Sequence, residues 1–274
     1  MYGGVGERLA LRFGTKGAPI AITTACATGA SAIQLGVEAI QRGEAKSVIA
    51  LGTDGSVQPE AVIRFSLLSA LSSRNEDPTK ASRPFEKSRD GFVMSEGAAA
   101  LILEDLEHAR ARGATIIGLV SGCGERADNF HRTRSNPDGS SIIGAMKNAL
   151  ADAGLQPADI GYVNAHGTST PENDKMEALG LRAVFGEAPP PISSNKSMIG
   201  HTLSAAGAIE AAFSLLTLRD QILPPTINHV EPDPTLGLDV VPNEARRVSG
   251  LRHVLSNSFG FGGQNVCLVL SAAP

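Results

Sequence analysis

A layered α/β fold is what this sequence predicts, on three observations. Apolar strand-like segments alternate with helical ones from one end of the chain to the other. In the clearest helical stretch Ile33, Val37 and Ile40 recur at spacings of four and three, which is one face of a helix. The 274 residues are 42% hydrophobic and 19% charged, enough apolar material for a sizeable core. Length alone permits one large domain or two modest ones.

The elements follow in order. Pro19–Thr24 reads as the first strand, running at once into a helix over roughly Ala27–Gln41 that Gly43 stops. Ser47–Gly52 and Ala98–Glu104 read as buried strands. A second series begins near Thr115, with strands at Thr115–Ser121, Gly161–Ala165, Val254–Ser258 and Val266–Ser271. Its helices are Ser141–Ala153, Asn173–Val184 and Ala205–Arg219. Ala127–Ser140 is polar, and Pro137, Asp138 and Gly139 mark it as a loop. A loop that long inside a compact domain is often functional. Pro189–Pro191 and Leu223–Pro234 are Pro-rich connections rather than linkers between independent domains.

Composition narrows the function classes. Aromatics are 4% with no Trp, while there are 30 glycines, which suits close helix packing better than stacking on bases. Net charge is −4 and Lys and Arg are nowhere concentrated, so nucleic acid is not the expected partner. The longest apolar run, near Ala205–Leu218, is broken by Glu210 and Ser214 and is too short for a bilayer. No signal-peptide pattern opens the chain. Three widely spaced cysteines, Cys26, Cys123 and Cys267, make no disulfide framework and fit a reducing cytoplasm. Cys123 and Cys267 sit in apolar strand-like runs and read as small core residues.

Four segments carry candidate chemistry. In TTACATGAS, Cys26 lies between a strand and a helix, where the helix N-terminus favours a thiolate; a plain buried cysteine in such a turn is the alternative. NAHGTSTPEND puts His166 after a strand, followed by a hydroxyl-rich turn whose Thr168 and Thr170 could bond an amide-rich arm. The alternative is a histidine fixed by turn hydrogen bonds. In SSNKSMIGHTLSAAGAIEAA, Lys196 and His201 flank Gly200. Spacing does not say whether these groups converge on Cys26. No HxxxH, HxH or CxxC supports a metal. SNSFGFGGQN allows close backbone approach at its glycines and, like GGVG near the start, lacks nucleotide-binding spacing.

Taken in order, these motifs resemble the elongating β-ketoacyl-acyl-carrier-protein synthases, of the ketoacyl synthase II type. TACATG, NAHGTSTP, NKSMIGHTLSAAGAIEA and GFGG carry the likeness, and SRPFEKSRDGFVMSEGAA and LPPTIN add to it. The resemblance implies a thiolase-like α-β-α-β-α fold whose first half is incomplete, with residues 1–110 as a remnant of the N-terminal half carrying the nucleophile and 111–274 as the C-terminal half carrying both histidines. It implies decarboxylative Claisen condensation, with the acyl chain on Cys26 and His166 and His201 stabilising the malonyl thioester enolate. By the same likeness the backbone N–H groups of Cys26 and Phe261 form a second oxyanion hole. Lys196 organises the site with Glu177 as its carboxylate partner, and Thr168 and Thr170 hold the pantetheine arm. Phe261 is the gate, with Phe259 behind it and Phe65 on the acyl pocket; all three read equally as core aromatics. No tightly bound cofactor is implied. Substrates arrive on the phosphopantetheine of an acyl carrier protein, and the family is homodimeric.

Departures from the pattern bear on completeness and specificity. The family's fold has a substantial portion before the nucleophile, whereas Cys26 lies near the start of this chain. The first half is therefore expected to be incomplete, through a truncated reading of the gene, a fragment completed elsewhere or a shortened variant. A parallel sheet missing strands exposes unpaired edges and apolar surface. Glu172, Gln264 and the arginine-flanked His131 (Arg132, Arg134) also depart from the usual wording, and those arginines either meet an acidic carrier or form a solvated face. A chain-length factor would lack the nucleophile, a thiolase has a different pattern, and initiating synthases use Cys-His-Asn. An inactive interaction module remains the reading from a different class.

Overall fold

The computed structural model describes residues 4–274. Helices and strands alternate as α1 (Gly4–Phe13), α2 (Thr28–Gln41), β1 (Ser47–Asp54), α3 (Pro59–Leu67), β2 (Gly97–Glu104), α4 (Leu106–Ala111), β3 (Gly118–Ala127) and α5 (Ser140–Ala153). They continue as β4 (Tyr162–Asn164), α6 (Pro171–Phe185), β5 (Ile192–Ser193), α7 (Lys196–Ile199), α8 (Ala206–Asp220), β6 (Ile222–Leu223), β7 (Arg246–Arg247), β8 (His253–Phe259) and β9 (Gln264–Ala272). None of the described helices is long and apolar enough to cross a membrane.

The central sheet has the order β3-β9-β8-β4-β5 and is mixed. β3, β9 and β8 pair antiparallel, while β8-β4 and β4-β5 are parallel. β8 and β9 are buried along almost their whole length, as strands covered on both faces must be. One core lies where α5 and α6 meet the sheet, around Met146, Leu181, Ile192 and Leu255. The second lies on the other face, under α2 and α8, around Ile33, Ala208, Leu268 and Leu270.

The α2–α8 crossing explains the small residues of both helices. A Cβ on Gly29 would fall 2.4 Å from the Ala208 nitrogen, and one on Gly207 would fall 2.5 Å from the Ala30 nitrogen. The two backbones are therefore in direct contact at the N-terminal end of α2, next to Cys26. Gly43, at φ +73°, ends α2 as its position predicts.

Three expectations need correction. Pro19–Thr24 is not a strand; it makes only a bridge from Thr24 to Cys26, and Ile20 is 82% exposed. Apolar β-formers become a strand only with a partner, and no described strand runs beside them. Second, β1 and β2 form a separate antiparallel ribbon rather than part of a parallel sheet. Only one face of it is covered: Leu101 and Leu103 are buried while Ile102 is 64% exposed. Third, the Thr115 strand begins later, at Gly118, and runs to Ala127. The polar loop between β3 and α5 is as expected. The helices Gly4–Phe13, Pro59–Leu67 and Leu106–Ala111 are absent from the elements the sequence predicts.

Candidate active site

Cys26 sits in a clamped turn. Ala25 before it has φ +48°, a conformation that a residue with a Cβ rarely adopts. Thr28 holds the turn by donating its hydroxyl to the Ala25 carbonyl (2.7 Å) and accepting the Thr24 N–H (2.9 Å). The Phe261 N–H faces the Cys26 sulfur, with the Gly-rich turn after β8 lying against the start of α2.

Burial pushes the Cys26 thiol up to about 11, overriding the opposing effects of Lys196 and the Phe261 N–H. This direction runs against the expectation of a thiolate at the helix end. Desolvation of a group in an apolar niche outweighs a dipole whose influence is felt at one turn. At neutral pH the group is a thiol. Alkylation of Cys26 by iodoacetamide is expected to accelerate by about tenfold per pH unit from pH 7 to 10, as the thiolate fraction does below its pKa. A rate that levels off below pH 8 would contradict this.

His166 and His201 meet across the pocket floor. Their ring centroids are 5.4 Å apart at 84°, and one nitrogen of each ring lies with the Cys26 sulfur inside a mutual distance of 4.8 Å. Burial, followed by the charge of Lys196, holds both rings well below the usual imidazole range, so both are neutral. Hydrogen bonds assign their tautomers. Lys196 Nζ donates to His166 Nδ1 (3.3 Å), and the Leu203 N–H donates to His201 Nδ1 (3.3 Å). Each ring must then carry its proton on Nε2. The same three atoms have a spacing that could hold a metal ion, but the Lys196 ammonium bonded to His166 opposes a cation there.

Lys196 is 1% exposed. It also donates to the His166 carbonyl (2.6 Å) and to the Glu210 carboxylate. Glu210, equally buried, is its ion-pair partner, so Glu177 is corrected as that partner. Both Glu177 oxygens are already engaged, accepting the N–H groups of His166 (2.9 Å) and Gly167 (2.8 Å) and the Asn257 amide (3.0 Å). Glu177 fixes the histidine backbone from α6, while Glu210 reaches Lys196 from the inner face of α8. Burial raises Glu210 to about 7 despite Lys196. The sequence signal for Glu210 was its position inside an otherwise apolar helix.

A pocket of about 310 Å³ opens onto these groups. Of the sequence candidates, Cys26, His166, His201, Thr168, Thr170, Phe259, Phe261 and Phe65 line it, and Lys196 and Glu177 stand behind it. The Thr168 and Thr170 hydroxyls are 2.9 Å apart. Phe92, which sequence reasoning missed, packs edge-on to both Phe65 (5.3 Å) and His201 (5.2 Å). His131, Arg132, Arg134 and Glu172 form part of the wall. Their loop is laced to the Gly-rich turn: Gly262 N–H donates to the Arg132 carbonyl and Asp128 N–H to the Gly263 carbonyl, each 2.8 Å. Gln264 is exposed.

Comparison with known proteins agrees with this arrangement. A family model for the beta-ketoacyl synthase N-terminal domain matches residues 1–109, and one for the C-terminal domain matches 117–230. The 3-oxoacyl-[acyl-carrier-protein] synthase 2 of Coxiella burnetii is 46% identical over 265 residues, covering 96% of this chain and 64% of that protein. The Vibrio cholerae protein of the same name is 45% identical, covering 97% and 65%. The chain thus spans just under two thirds of the length of these relatives. A beta-ketoacyl synthase from Burkholderia phymatum superposes with TM-score 0.93 at 41% identity, over 98% of this chain and 65% of that one. A type II PKS ketosynthase, in a structure described as a complex with its acyl-carrier protein and bound to the hexaketide, gives 0.96 at 36% identity, over 99% and 67%.

Proposed function

This chain belongs to the β-ketoacyl synthase family, and from that premise we propose that it catalyses decarboxylative Claisen condensation of malonyl-carrier protein with an acyl group held on Cys26. One observation carries the reading: two neutral imidazoles, each with its proton on Nε2, face the same buried sulfur. Such a pair can receive a developing oxyanion without a proton transfer.

The steps follow from where the groups lie. Cys26 attacks the carbonyl of a pantetheine thioester; its C–S bond forms, the pantetheine C–S bond breaks, and the thiol proton leaves on pantetheine. The tetrahedral oxyanion is held by the N–H groups of Cys26 and Phe261. Malonyl thioester then loses CO2, and the C–C electron pair moves into an enolate whose oxygen accepts from His166 and His201. The enolate carbon attacks the Cys26 thioester, forming the new C–C bond and breaking the C–S bond, and the released Cys26 thiolate takes a proton from solvent to restore the thiol. Each such donor supplies about 3 kcal/mol of transition-state stabilisation. Lys196 fixes the His166 tautomer, Glu177 its backbone, and Thr168 and Thr170 hold the arm.

On this reading residues 1–110 and 111–274 are the two halves of a thiolase-like fold. The protein works in the cytoplasm as a homodimer, in fatty-acid or related polyketide elongation, without a tightly held cofactor. The arginine-flanked loop at Arg132 and Arg134 faces an acidic carrier protein.

Intact-mass analysis after incubation with a medium-chain acyl-carrier protein tests the proposal. An acyl adduct mapped to Cys26 is expected. A folded chain that takes no acyl group would count against it.

A further inference from the structure

Between the two arm-binding threonines lies Ser169, which has no exposed surface and a φ of +74°. A serine is uncommon in that region. The kink it makes brings the hydroxyls of its two neighbours within hydrogen-bonding distance of each other, both lining the pocket. Ser169 is held on three sides. Its N–H donates to Asp174 (3.2 Å), its carbonyl accepts from the Gly91 N–H (3.0 Å), and its Oγ accepts from the Arg83 N–H (3.1 Å).

Two of these three ties come from one segment, residues 83–91, which is itself pinned. Arg83 pairs with Glu86 at 3.7 Å, and Arg89 bonds Asp233 at 2.8 Å and approaches Asp174 at 3.5 Å. Gly91 touches backbone so closely that a Cβ would fall 2.3 Å from the Leu71 carbonyl carbon. The strap is therefore a fixed reference, and Ser169 Oγ is the one side-chain atom of the kink that couples to it.

We propose that Ser169 is a positioning residue: by taking the Arg83 N–H, its Oγ locks the kink that aims the Thr168 and Thr170 hydroxyls together at an amide of the substrate arm. This rests on the reading that the pocket takes pantetheine thioesters. It assigns affinity for the arm to a residue that never touches it.

Ser169→Gly is the test, because glycine adopts φ +74° without strain while the Oγ is lost together with its Cβ. The expected result is about tenfold weaker binding of pantetheine and about tenfold higher KM for an acyl-pantetheine, with kcat held within about twofold, the pattern of lost uniform binding. An acyl thioester of 2-mercaptoethanol, which has no amide, should lose far less. In a Thr168→Val, Thr170→Val background the same substitution should cost no more than about twofold, since coupled residues are non-additive. Ser169→Cys, which keeps a weak acceptor, should fall between glycine and serine. Equal losses on both thioesters, a fall in kcat in place of KM, or an undiminished effect in the double-valine background would overturn the inference. Pantetheine bound equally by wild type and Ser169→Gly, with Cys26 acylated normally, overturns it and leaves the proposed function intact. A folded wild type that neither binds pantetheine nor takes an acyl group overturns both.

Discussion

Cys26→Ala is expected to abolish acyl transfer, by more than about 10⁴-fold, while decarboxylation of malonyl thioester persists. The two halves of this result separate because the groups are held independently. In the proposed reaction the sulfur forms the covalent bond, and among the described residues no other thiol lines the pocket. The imidazoles, by contrast, owe nothing to the sulfur for their tautomers. His166 is set from behind by Lys196 and His201 by the Leu203 N–H. Their backbones are fixed separately too, His166 by Glu177 and His201 by its N–H bond to the Val93 carbonyl at 2.7 Å. Removing one Sγ from a site that is 7% exposed opens little space and breaks none of these bonds. Release of labelled CO2 from malonyl-carrier protein, beside intact-mass detection of the acyl adduct, measures both. An adduct on the variant would remove Cys26 as nucleophile; loss of CO2 release would mean the histidines need the sulfur in place.

What the sequence made legible was local. TTACATGAS places a thiol just before a helix, and α2 does begin at Thr28, although the segment before it is not the strand its composition suggests. The alternating elements of the second half predict β4, β8, β9, α5, α6 and α8 to within a few residues. What stayed hidden depended on the third dimension. The ionisation of Cys26 is decided by burial, which residues far along the chain produce. Glu177 and Glu210 are both single carboxylates on helices, and only packing says that one caps backbone N–H groups while the other meets Lys196. Pro19–Thr24 has the right composition for a strand but no neighbour to pair with. Phe92 and Ser169 matter through what they touch across more than seventy residues of chain, a relation no local pattern encodes. The resemblance to a family supplied the convergence of Cys26, His166 and His201, and the geometry supplies the protonation states.

The second large effect is expected from His201→Ala: acylation of Cys26 continues within about threefold, and decarboxylation with condensation falls by about 10²–10³-fold, the usual cost of one oxyanion donor. The asymmetry has a physical cause. On the proposed mechanism the acyl-transfer oxyanion is served by backbone N–H groups of Cys26 and Phe261, which the substitution leaves alone. On the same mechanism the enolate oxygen accepts from two Nε2–H donors, and with the rings standing at 84° neither is placed to take over the other's bond. His201 is also neutral for two reasons that alanine does not mimic, burial and the nearby Lys196 charge. A protonated ring in its place would pull harder on the enolate but add a second positive charge beside Lys196. Glutamine separates these ideas, since it donates N–H without a titrating group; it should recover part of the lost rate, with no new ionisation in the pH profile. Wild-type condensation by His201→Ala would show that the enolate is held elsewhere. Failure of His201→Ala to acylate, in a chain that still folds, would place His201 in the first half-reaction and reassign the pair.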